Sequence, residues 1–229
     1  MKEVIFSKIK SIFLFSVFVF LFSCAEVSDS KTLDSKKLLE ILNSLKVDSD
    51  CTTSKYSRKQ WRHWTKAERG GYDTRQKVLI EESLIVPMVK SGSKKVVKGR
   101  WYGAYTDKPF KDPKHLDIDH LVPLDEAHKS GGCHWDKEKK KNYANYLKHK
   151  EELIAVSGKA NRAKGQKDPA KWLPKNEDYL CEYVSDWLTV KERWNLWIDE
   201  KEKKAIAGVI ENYCENPEVE YAFAKQPQK

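Results

Sequence analysis

The stretch HLDIDHLVPL, residues 115–124, decides the fold of this chain of 229 residues. Apolar and polar residues alternate along it until Pro123, which is typical of a strand with one buried face. The apolar run LIAVS, residues 153–157, predicts a second short strand. Helices are expected on both sides of this pair from apolar residues at helical spacing, at residues 36–47, 137–152, 179–197 and 201–213. The sequence therefore predicts an α+β fold, a two-stranded core wrapped by flanking helices.

Cap and turn residues mark the ends of further elements. Asp73 and Thr74 are candidate N-caps for a helix that Pro87 ends. Residues 96–105 are rich in β-branched and aromatic side chains and predict a strand or hairpin arm. Gly158 is the expected turn after the second core strand, and Asn161 is the expected start of a final turn or helix.

The N-terminus has the pattern of an export signal. Basic residues precede a nearly unbroken apolar run at residues 12–22, which is too short to span a bilayer comfortably. The run ends at Ser23 and Cys24, a pair that resembles a bacterial lipobox. Residues 1–24 therefore predict a lipoprotein-type signal peptide with Cys24 as the lipidated residue. Ordinary signal cleavage nearby and an uncleaved anchor remain the alternatives.

The chain is basic, with 43 lysine and arginine residues against 34 acidic residues and a net charge of +9. Removal of residues 1–24 deletes three lysines and one glutamate, which leaves 40 basic and 33 acidic residues and a net charge of +7. This balance favours polyanionic partners through counterion release. A lysine-rich surface also serves solubility alone, so charge by itself does not choose a function.

Four cysteines follow Cys24 in the sequence. An even number outside the cytoplasm permits two disulfides, with three possible pairings, and free buried thiols remain the alternative. No CxxC pair is present, so a zinc ribbon or knuckle is not expected. The four residues are Cys51, Cys133, Cys181 and Cys214.

Three polar residues near the ends of the two core strands carry the candidate chemistry. Metal-assisted phosphodiester hydrolysis needs oxygen ligands for a cation, a base for water and an open coordination position. Asp119 and Asn161 offer oxygen ligands of the kind that Mg²⁺ prefers, and His120 has a suitable intrinsic pKa for the base. Asn161 as a helix cap is the alternative interpretation.

One geometric objection concerns Asp119 and His120. Adjacent residues of a strand point to opposite faces, so both can border one site only if the backbone twists or bulges there. Pro123, three residues further on, is compatible with an irregular strand end.

Ordered motifs across the chain resemble those of secreted bacterial HNH (ββα-metal) endonucleases. The similarity extends over about residues 36–206, and the order and separation of the motifs make it more specific than a lone Asp-His pair. The motifs are DIDHLVPL (117–124), EAHKSGG (126–132), YANYL (143–147), LIAVS (153–157) and ANRAKGQKDPAKWLP (160–174).

This resemblance implies a ββα-metal core and a role for each site residue. It assigns His120 as the general base and Asp119 and Asn161 as ligands of a divalent cation, with Mg²⁺ expected. Arg162 and Lys164 follow Asn161, as basic residues do in the family, and are expected to bind phosphate oxygens.

The implied domain organisation places a nuclease domain at residues 36–215. Residues 25–35 are polar and small, as in a tether from a membrane anchor, and residues 216–229 are expected to form a flexible tail.

The implied activity is hydrolysis of phosphodiester bonds in DNA, with RNA as a further candidate substrate. Low sequence specificity is expected because no base-reading module accompanies the core. The expected location is the cell envelope or the exterior, and the expected state is a monomer. Two alternatives remain: a non-catalytic surface lipoprotein that binds polyanions, and a toxin or restriction-type nuclease with a defined target.

Overall fold

The computed structural model of the protein describes residues 34–66 and 70–214. The predicted signal peptide, its Cys24, nearly all of the tether and the C-terminal tail lie outside these residues, and the predictions made for them stay predictions. Within the described ranges, no helix combines the length and the apolar character needed to cross a membrane.

Helices and short strand pairs make up the described residues, and the α+β class is confirmed. The α-helices are α1 (Ser35–Ser44), α2 (Thr74–Glu81), α3 (Leu124–Lys129), α4 (Lys137–Ala144), α5 (Gly158–Lys164), α6 (Leu180–Trp194) and α7 (Glu200–Tyr213). The strands are β1 (Met88–Lys90), β2 (Lys95–Lys98), β3 (Trp101–Gly103), β4 (Lys108–Phe110), β5 (Leu116–His120) and β6 (Leu153–Ser157).

Each strand pairs with one antiparallel neighbour, giving the pairs β1–β2, β3–β4 and β5–β6. The two predicted core strands are confirmed as β5 and β6, and their register runs without interruption from Leu116 opposite Ser157 to His120 opposite Leu153. Helix α5 follows β6 directly, whereas α3 and α4 lie between β5 and β6 in the chain.

Aspartate is the N-cap residue of several helices. The predicted cap at Asp73 is confirmed, since its Oδ1 accepts the Gln76 N–H at 2.9 Å. Asp136 and Asp199 cap α4 and α7 in the same way. Such caps satisfy backbone N–H groups that have no partner inside the helix.

Three predicted boundaries are wrong. The helix that Pro87 was expected to end stops at Glu81, well before the proline. The helix expected at residues 137–152 ends at Ala144, because the Asn145 side chain binds the carbonyls of Lys141 and Arg62 instead of continuing the helix. Gly158 begins α5 rather than forming a turn, and Ser157 is the N-cap. Asn161 therefore lies inside α5 rather than at its start.

The β5–β6 pair lies between two apolar clusters. The larger cluster packs α1, α6 and α7 together and includes Trp187, Leu188 and Val156. The smaller cluster packs α2 and β2 against one face of the β5–β6 pair, through Ile118 and Ala155. Because both faces of this ribbon are covered, its end is held rigidly between two parts of the core.

The four cysteines form two disulfides, Cys51–Cys133 and Cys181–Cys214. The second joins α6 to the end of α7. Disulfides of this kind are typical of proteins in an oxidising compartment, which is consistent with an extracellular location.

Candidate active site

A pocket of about 350 Å³ lies at the end of β5. It is open to solvent on one side and combines acidic, basic and amide side chains. Its polar lining consists of Tyr56, Arg58, Asp119, His120, Asp125, Asn161, Arg162 and Gln166.

Asp119 and His120 both line this pocket although they leave opposite faces of β5. The cross-strand pairs place His120 on the face of Ile118, in the smaller cluster, and Asp119 on the face of Val156, in the larger cluster. No bulge interrupts the pairing. His120 is the last residue of the strand, so the pocket lies at the strand end, where side chains from both faces reach it.

The His120 ring is held by one hydrogen bond and by aromatic neighbours. Its Nε2 lies 3.0 Å from the carbonyl oxygen of Ala144. A carbonyl only accepts, so Nε2 carries the proton and Nδ1 keeps its lone pair. The ring stacks on Trp64 with centroids 5.5 Å apart and lies nearly parallel to the Tyr143 ring.

This environment favours the neutral imidazole. Burial lowers the pKa of His120 to about 3, and the positive charges of Arg58 and Lys164 act in the same direction, while the hydrogen bond to Ala144 opposes them. At neutral pH the side chain is therefore an uncharged base.

Asp119 is almost fully buried and two donors hold the same carboxylate oxygen. Oδ2 accepts hydrogen bonds from the Tyr105 hydroxyl and the Lys164 ammonium, both at 2.6 Å. Oδ1 receives no hydrogen bond from the described residues. Burial raises the pKa of Asp119, and the attraction of Lys164 opposes that shift.

Asn161 reaches the same pocket from α5. Its Nδ2 donates to Asp117 Oδ2 at 3.4 Å, which leaves its amide oxygen as an available ligand atom. Arg162, whose side chain is 73% exposed, lies 3.4 Å from the same Asp117 oxygen. Asp117 thus orients both neighbouring groups at the rim of the pocket.

Lys164 lies beneath the pocket and does not line it. Its side chain is fully buried, and Nζ donates to Asp119 Oδ2 and, at 3.0 Å, to the His120 carbonyl. Burial lowers the pKa of this ammonium, and Asp119 opposes the shift. Solvent and an external phosphate have no access to this group in the structure.

Residues 56–66, which we call the cover segment, form a further wall. Trp64 adopts a positive φ of 56° and brings its indole onto His120. The segment is tied down by Asn145, whose Oδ1 accepts the Thr65 N–H at 2.9 Å and whose Nδ2 donates to the Arg62 carbonyl at 2.7 Å. The predicted YAN motif therefore holds both the imidazole, through Ala144, and the cover segment, through Asn145.

Sequence reasoning missed four polar residues of the pocket, which are Tyr56, Arg58, Asp125 and Gln166. Tyr56 and Arg58 come from the cover segment, which the sequence presents only as a polar stretch. Its mixture of basic and aromatic residues, KYSRKQWRHW at 55–64, was an available signal. Asp125 lies on the first turn of α3 and pairs with Lys129 at 3.0 Å.

The donor set at the pocket fits a hard divalent cation. Asp119 and Asn161 contribute carboxylate and amide oxygens to its lining, which is the kind of donor that Mg²⁺ accepts while keeping several waters. A second group of potential ligands, Cys51, Cys133 and His134, lies elsewhere, but both of its sulfurs are joined in a disulfide. Among the described residues, the pocket at β5 is thus the better cation site.

Comparison with known protein families shows to which family the chain belongs. Residues 73–209 match the family described as GmrSD restriction endonucleases, C-terminal domain. The chain belongs to this family. Membership indicates an endonuclease-like function with nucleic acid as substrate and a divalent metal as cofactor. The matched region contains β5, β6 and α5 but not the cover segment.

One curated relative is an uncharacterized secreted protein of Arthroderma benhamiae. It is 33% identical over 174 residues, which is 76% of this chain and 83% of the relative. This relative is fungal, so the resemblance is not restricted to bacteria. Its printed name is consistent with an extracellular location for the present chain. No solved structure matched the chain.

Proposed function

We propose that the chain is a metal-dependent endonuclease of the HNH type that hydrolyses phosphodiester bonds of DNA, with RNA as a second candidate substrate. The observation that carries the proposal is the neutral imidazole of His120, with its unprotonated Nδ1, in the same pocket as Asp119 and Asn161. In this proposal β5, β6 and α5 form the ββα-metal core.

His120 acts as the general base. Its Nδ1 takes a proton from a water molecule, whose oxygen forms a bond to phosphorus as the opposite phosphorus–oxygen bond breaks. The hydrogen bond from Nε2 to the Ala144 carbonyl keeps the reactive tautomer in place and stabilises the imidazolium that forms. A base positioned in this way contributes roughly 100- to 10,000-fold to the rate.

Asp119 and Asn161 hold the cation, most simply Mg²⁺. A divalent cation at this position supplies stabilisation of the charge that develops on the phosphate and on the leaving oxygen. Lys164 and Tyr105 fix Asp119 through Oδ2, so that Oδ1 is oriented without needing to reorganise. This positioning role replaces the phosphate contact expected of Lys164, because its ammonium is fully buried.

Arg162 and Arg58 are the basic residues that line the pocket and can reach a phosphate from solvent. Both side chains are exposed, and the guanidinium group binds phosphate oxygens in pairs. We assign phosphate binding to Arg162, as the motif implies, and add Arg58 from the cover segment.

The test compares His120→Ala with His149→Ala in plasmid digestion. His149 is about half exposed and does not line the pocket, so its removal controls for loss of a histidine. We expect His120→Ala to lose at least about 100-fold in rate while still binding DNA, and His149→Ala to keep full activity. Equal activity of the two variants would exclude His120 as the base.

The cation is tested by chelation and by Asn161→Ala. Wild-type activity should disappear in the chelator and return on addition of Mg²⁺ or Mn²⁺, and Asn161→Ala should require a higher concentration of the cation. Full activity in the chelator would remove the metal from the mechanism. DNA binding without cleavage under any divalent ion would favour the alternative of a non-catalytic polyanion-binding protein.

A second candidate function, a nuclease with a defined target, is favoured by the description of the matched family as restriction endonucleases. The same digestion distinguishes the two. Low specificity produces a continuous distribution of fragments, whereas a defined target produces discrete bands from a plasmid of known sequence.

We also propose that the mature protein is a monomer attached to the cell envelope through lipidated Cys24. Metabolic labelling with a fatty acid should mark the wild-type chain and leave Cys24→Ser unlabelled. Light scattering after detergent extraction measures the oligomeric state. Label retained in Cys24→Ser would contradict the anchor assignment.

A further inference from the structure

Residues 83–100, which we call the hairpin arm, carry most of the exposed apolar surface in the described part of the chain. Of the eight large apolar side chains that are exposed there, six lie in this arm, and Val86 is 93% exposed. Single exposed apolar residues are ordinary, but a continuous group marks a surface that another molecule covers. The six are Leu84, Ile85, Val86, Met88, Val89 and Val97.

The arm is an ordered hairpin that the domain holds outward. Its base is closed by a hydrogen bond from the Leu84 N–H to the Arg100 carbonyl at 2.7 Å. Its strands, β1 and β2, pair only with each other in the described sheets. Val96 points inward to the smaller cluster, and its N–H binds Gln76 Oε1 of α2 at 2.8 Å. The apolar side chains are therefore exposed on an ordered hairpin and not on an unfolded segment.

The same arm is strongly basic. No acidic residue occurs between Glu82 and Asp107. Lys90 and Lys95 are direct cross-strand partners, and two like charges in that position repel each other. Neither they nor Lys98 form an ion pair with a described residue. An anionic partner would remove this repulsion.

The chemistry of the apolar residues selects the kind of anionic partner. Surfaces that bind single-stranded nucleic acid interleave basic side chains with aromatic rings, which stack on bases. The exposed apolar side chains of the arm are aliphatic apart from the Met88 thioether, and none of them is a ring. A bilayer with anionic lipids supplies both hydrocarbon for aliphatic side chains and head-group phosphates for lysines.

We propose that the hairpin arm docks on an anionic lipid bilayer. Its aliphatic side chains enter the boundary between head groups and acyl chains, and its lysines contact head-group phosphates. This contact is separate from the proposed anchor at Cys24 and does not depend on the proposed nuclease activity. A basic patch beside apolar side chains is the kind of second signal that strengthens membrane attachment.

Hydrogen–deuterium exchange of the full chain on vesicles tests this contact locally. One set of vesicles contains phosphatidylcholine alone, and the other contains phosphatidylcholine and phosphatidylglycerol. The apolar N-terminal segment is the same in both experiments, so the amides of residues 84–98 report on the arm alone. We expect protection of these amides on anionic vesicles, with little on neutral ones, and a decline as salt is raised.

Two pairs of substitutions supply the matched control. Lys90→Gln with Lys98→Gln removes two charges from the arm, whereas Lys201→Gln with Lys204→Gln removes two exposed charges from α7. Each lysine near an anionic surface is worth about fivefold in affinity, so the arm pair should lose roughly 25-fold and the α7 pair little. Val86→Ser should also weaken protection on anionic vesicles. Melting curves verify that all variants fold.

Three results would overturn the proposal. The first is equal protection of the arm on neutral and anionic vesicles. The second is an equal loss in the arm and α7 pairs, which would indicate a general charge effect. The third is protection of the arm by duplex or single-stranded DNA with none on vesicles, which would make it a nucleic-acid surface.

Discussion

Two lysines among the described residues are fully buried, and their surroundings differ. Lys164 Nζ, beneath the pocket, has two acceptors, one of them the carboxylate of Asp119. Lys191 Nζ, in the helical core, has four oxygens at 2.8 to 2.9 Å. These belong to Glu126, Ser130, Glu202 and the Trp197 carbonyl.

The two ammonium groups also differ in the number of carboxylates beside them. Burial lowers the pKa of both, but two carboxylates outweigh it for Lys191 and raise its pKa, whereas for Lys164 burial prevails over Asp119. Every acceptor of Lys191 lies inside the core. Asp119, in contrast, has one oxygen that no donor of the described residues reaches, and it lines an open pocket. We infer from this difference that Lys191 stabilises the fold, whereas Lys164 positions the Asp119 carboxylate at the pocket.

The largest effect is expected from Lys191→Met. The change leaves Glu126 and Glu202 buried without a cation, which should lower the free energy of unfolding by about 3 to 5 kcal/mol. Urea denaturation measures the change. Glu202→Gln in the same chain should recover part of the loss, because it removes one uncompensated charge. A loss below about 1 kcal/mol would contradict a structural role for Lys191.

Glu82, a partly buried carboxyl group that forms no ion pair with a described residue, extends the comparison to pH. Burial raises its pKa to about 7 from an unfolded value of 4.5, against the hydrogen bond from the Ala155 N–H. Because the folded pKa is the higher one, this contribution to stability is complete below pH 4.5 and is lost as the pH rises through about 7.

Glu82→Gln keeps an acceptor for Ala155 and removes the charge. Between pH 5 and pH 8 the wild type should therefore lose more stability than the variant, by up to about 3 kcal/mol at 1.36 kcal/mol per pKa unit. Urea titrations at the two pH values check this. Parallel pH profiles would show that Glu82 does not titrate in this range.

Lys164→Met should have a smaller effect on stability, about 1 to 3 kcal/mol, because Asp119 keeps the Tyr105 hydroxyl and borders the open pocket. The decisive measurement is the melting temperature with and without Mn²⁺. The cation should stabilise this variant more than the wild type, since it replaces the missing charge beside Asp119, and it should not rescue Lys191→Met. An equal response of the two variants would end the distinction between the lysines.

The smallest change in the free energy of unfolding is expected for an exposed lysine. Lys141 pairs with Glu138 at 3.0 Å on the surface of α4, with both side chains substantially exposed. Lys141→Met should change the free energy of unfolding by no more than about 0.5 kcal/mol, because solvent and salt screen the pair. A loss comparable to that of Lys164→Met would mean that burial does not explain the ordering.

The local parts of the fold could be predicted well. Alternation of apolar residues identified β5, a short apolar run identified β6, and the cap at Asp73 identified the start of α2. These signals involve neighbours in sequence. The start of α5 was missed, since a glycine after a strand favours a turn, whereas Ser157 caps a helix there. The phosphate contact expected of Lys164 came from the family motif, which does not show that its ammonium is buried.

The surroundings of the site could not be predicted in the same way. His120 contacts the Ala144 carbonyl, and Asp119 contacts Lys164 at a separation of 45 residues. Trp64 lies even further from His120 along the chain. Contacts of this kind depend on how separate elements pack, and no periodicity in the sequence reports them.

The sequence by itself determined which functional groups are present, an imidazole, a carboxylate and an amide. It also determined the strand that carries the first two. Residue type and spacing along one strand are sufficient for that. Only the tertiary structure decided which nitrogen of His120 is free, which oxygen of Asp119 is occupied and whether a lysine faces phosphate or the core. Those properties arise from partners brought together by packing, because a hydrogen bond is defined by position in space and not by order along the chain.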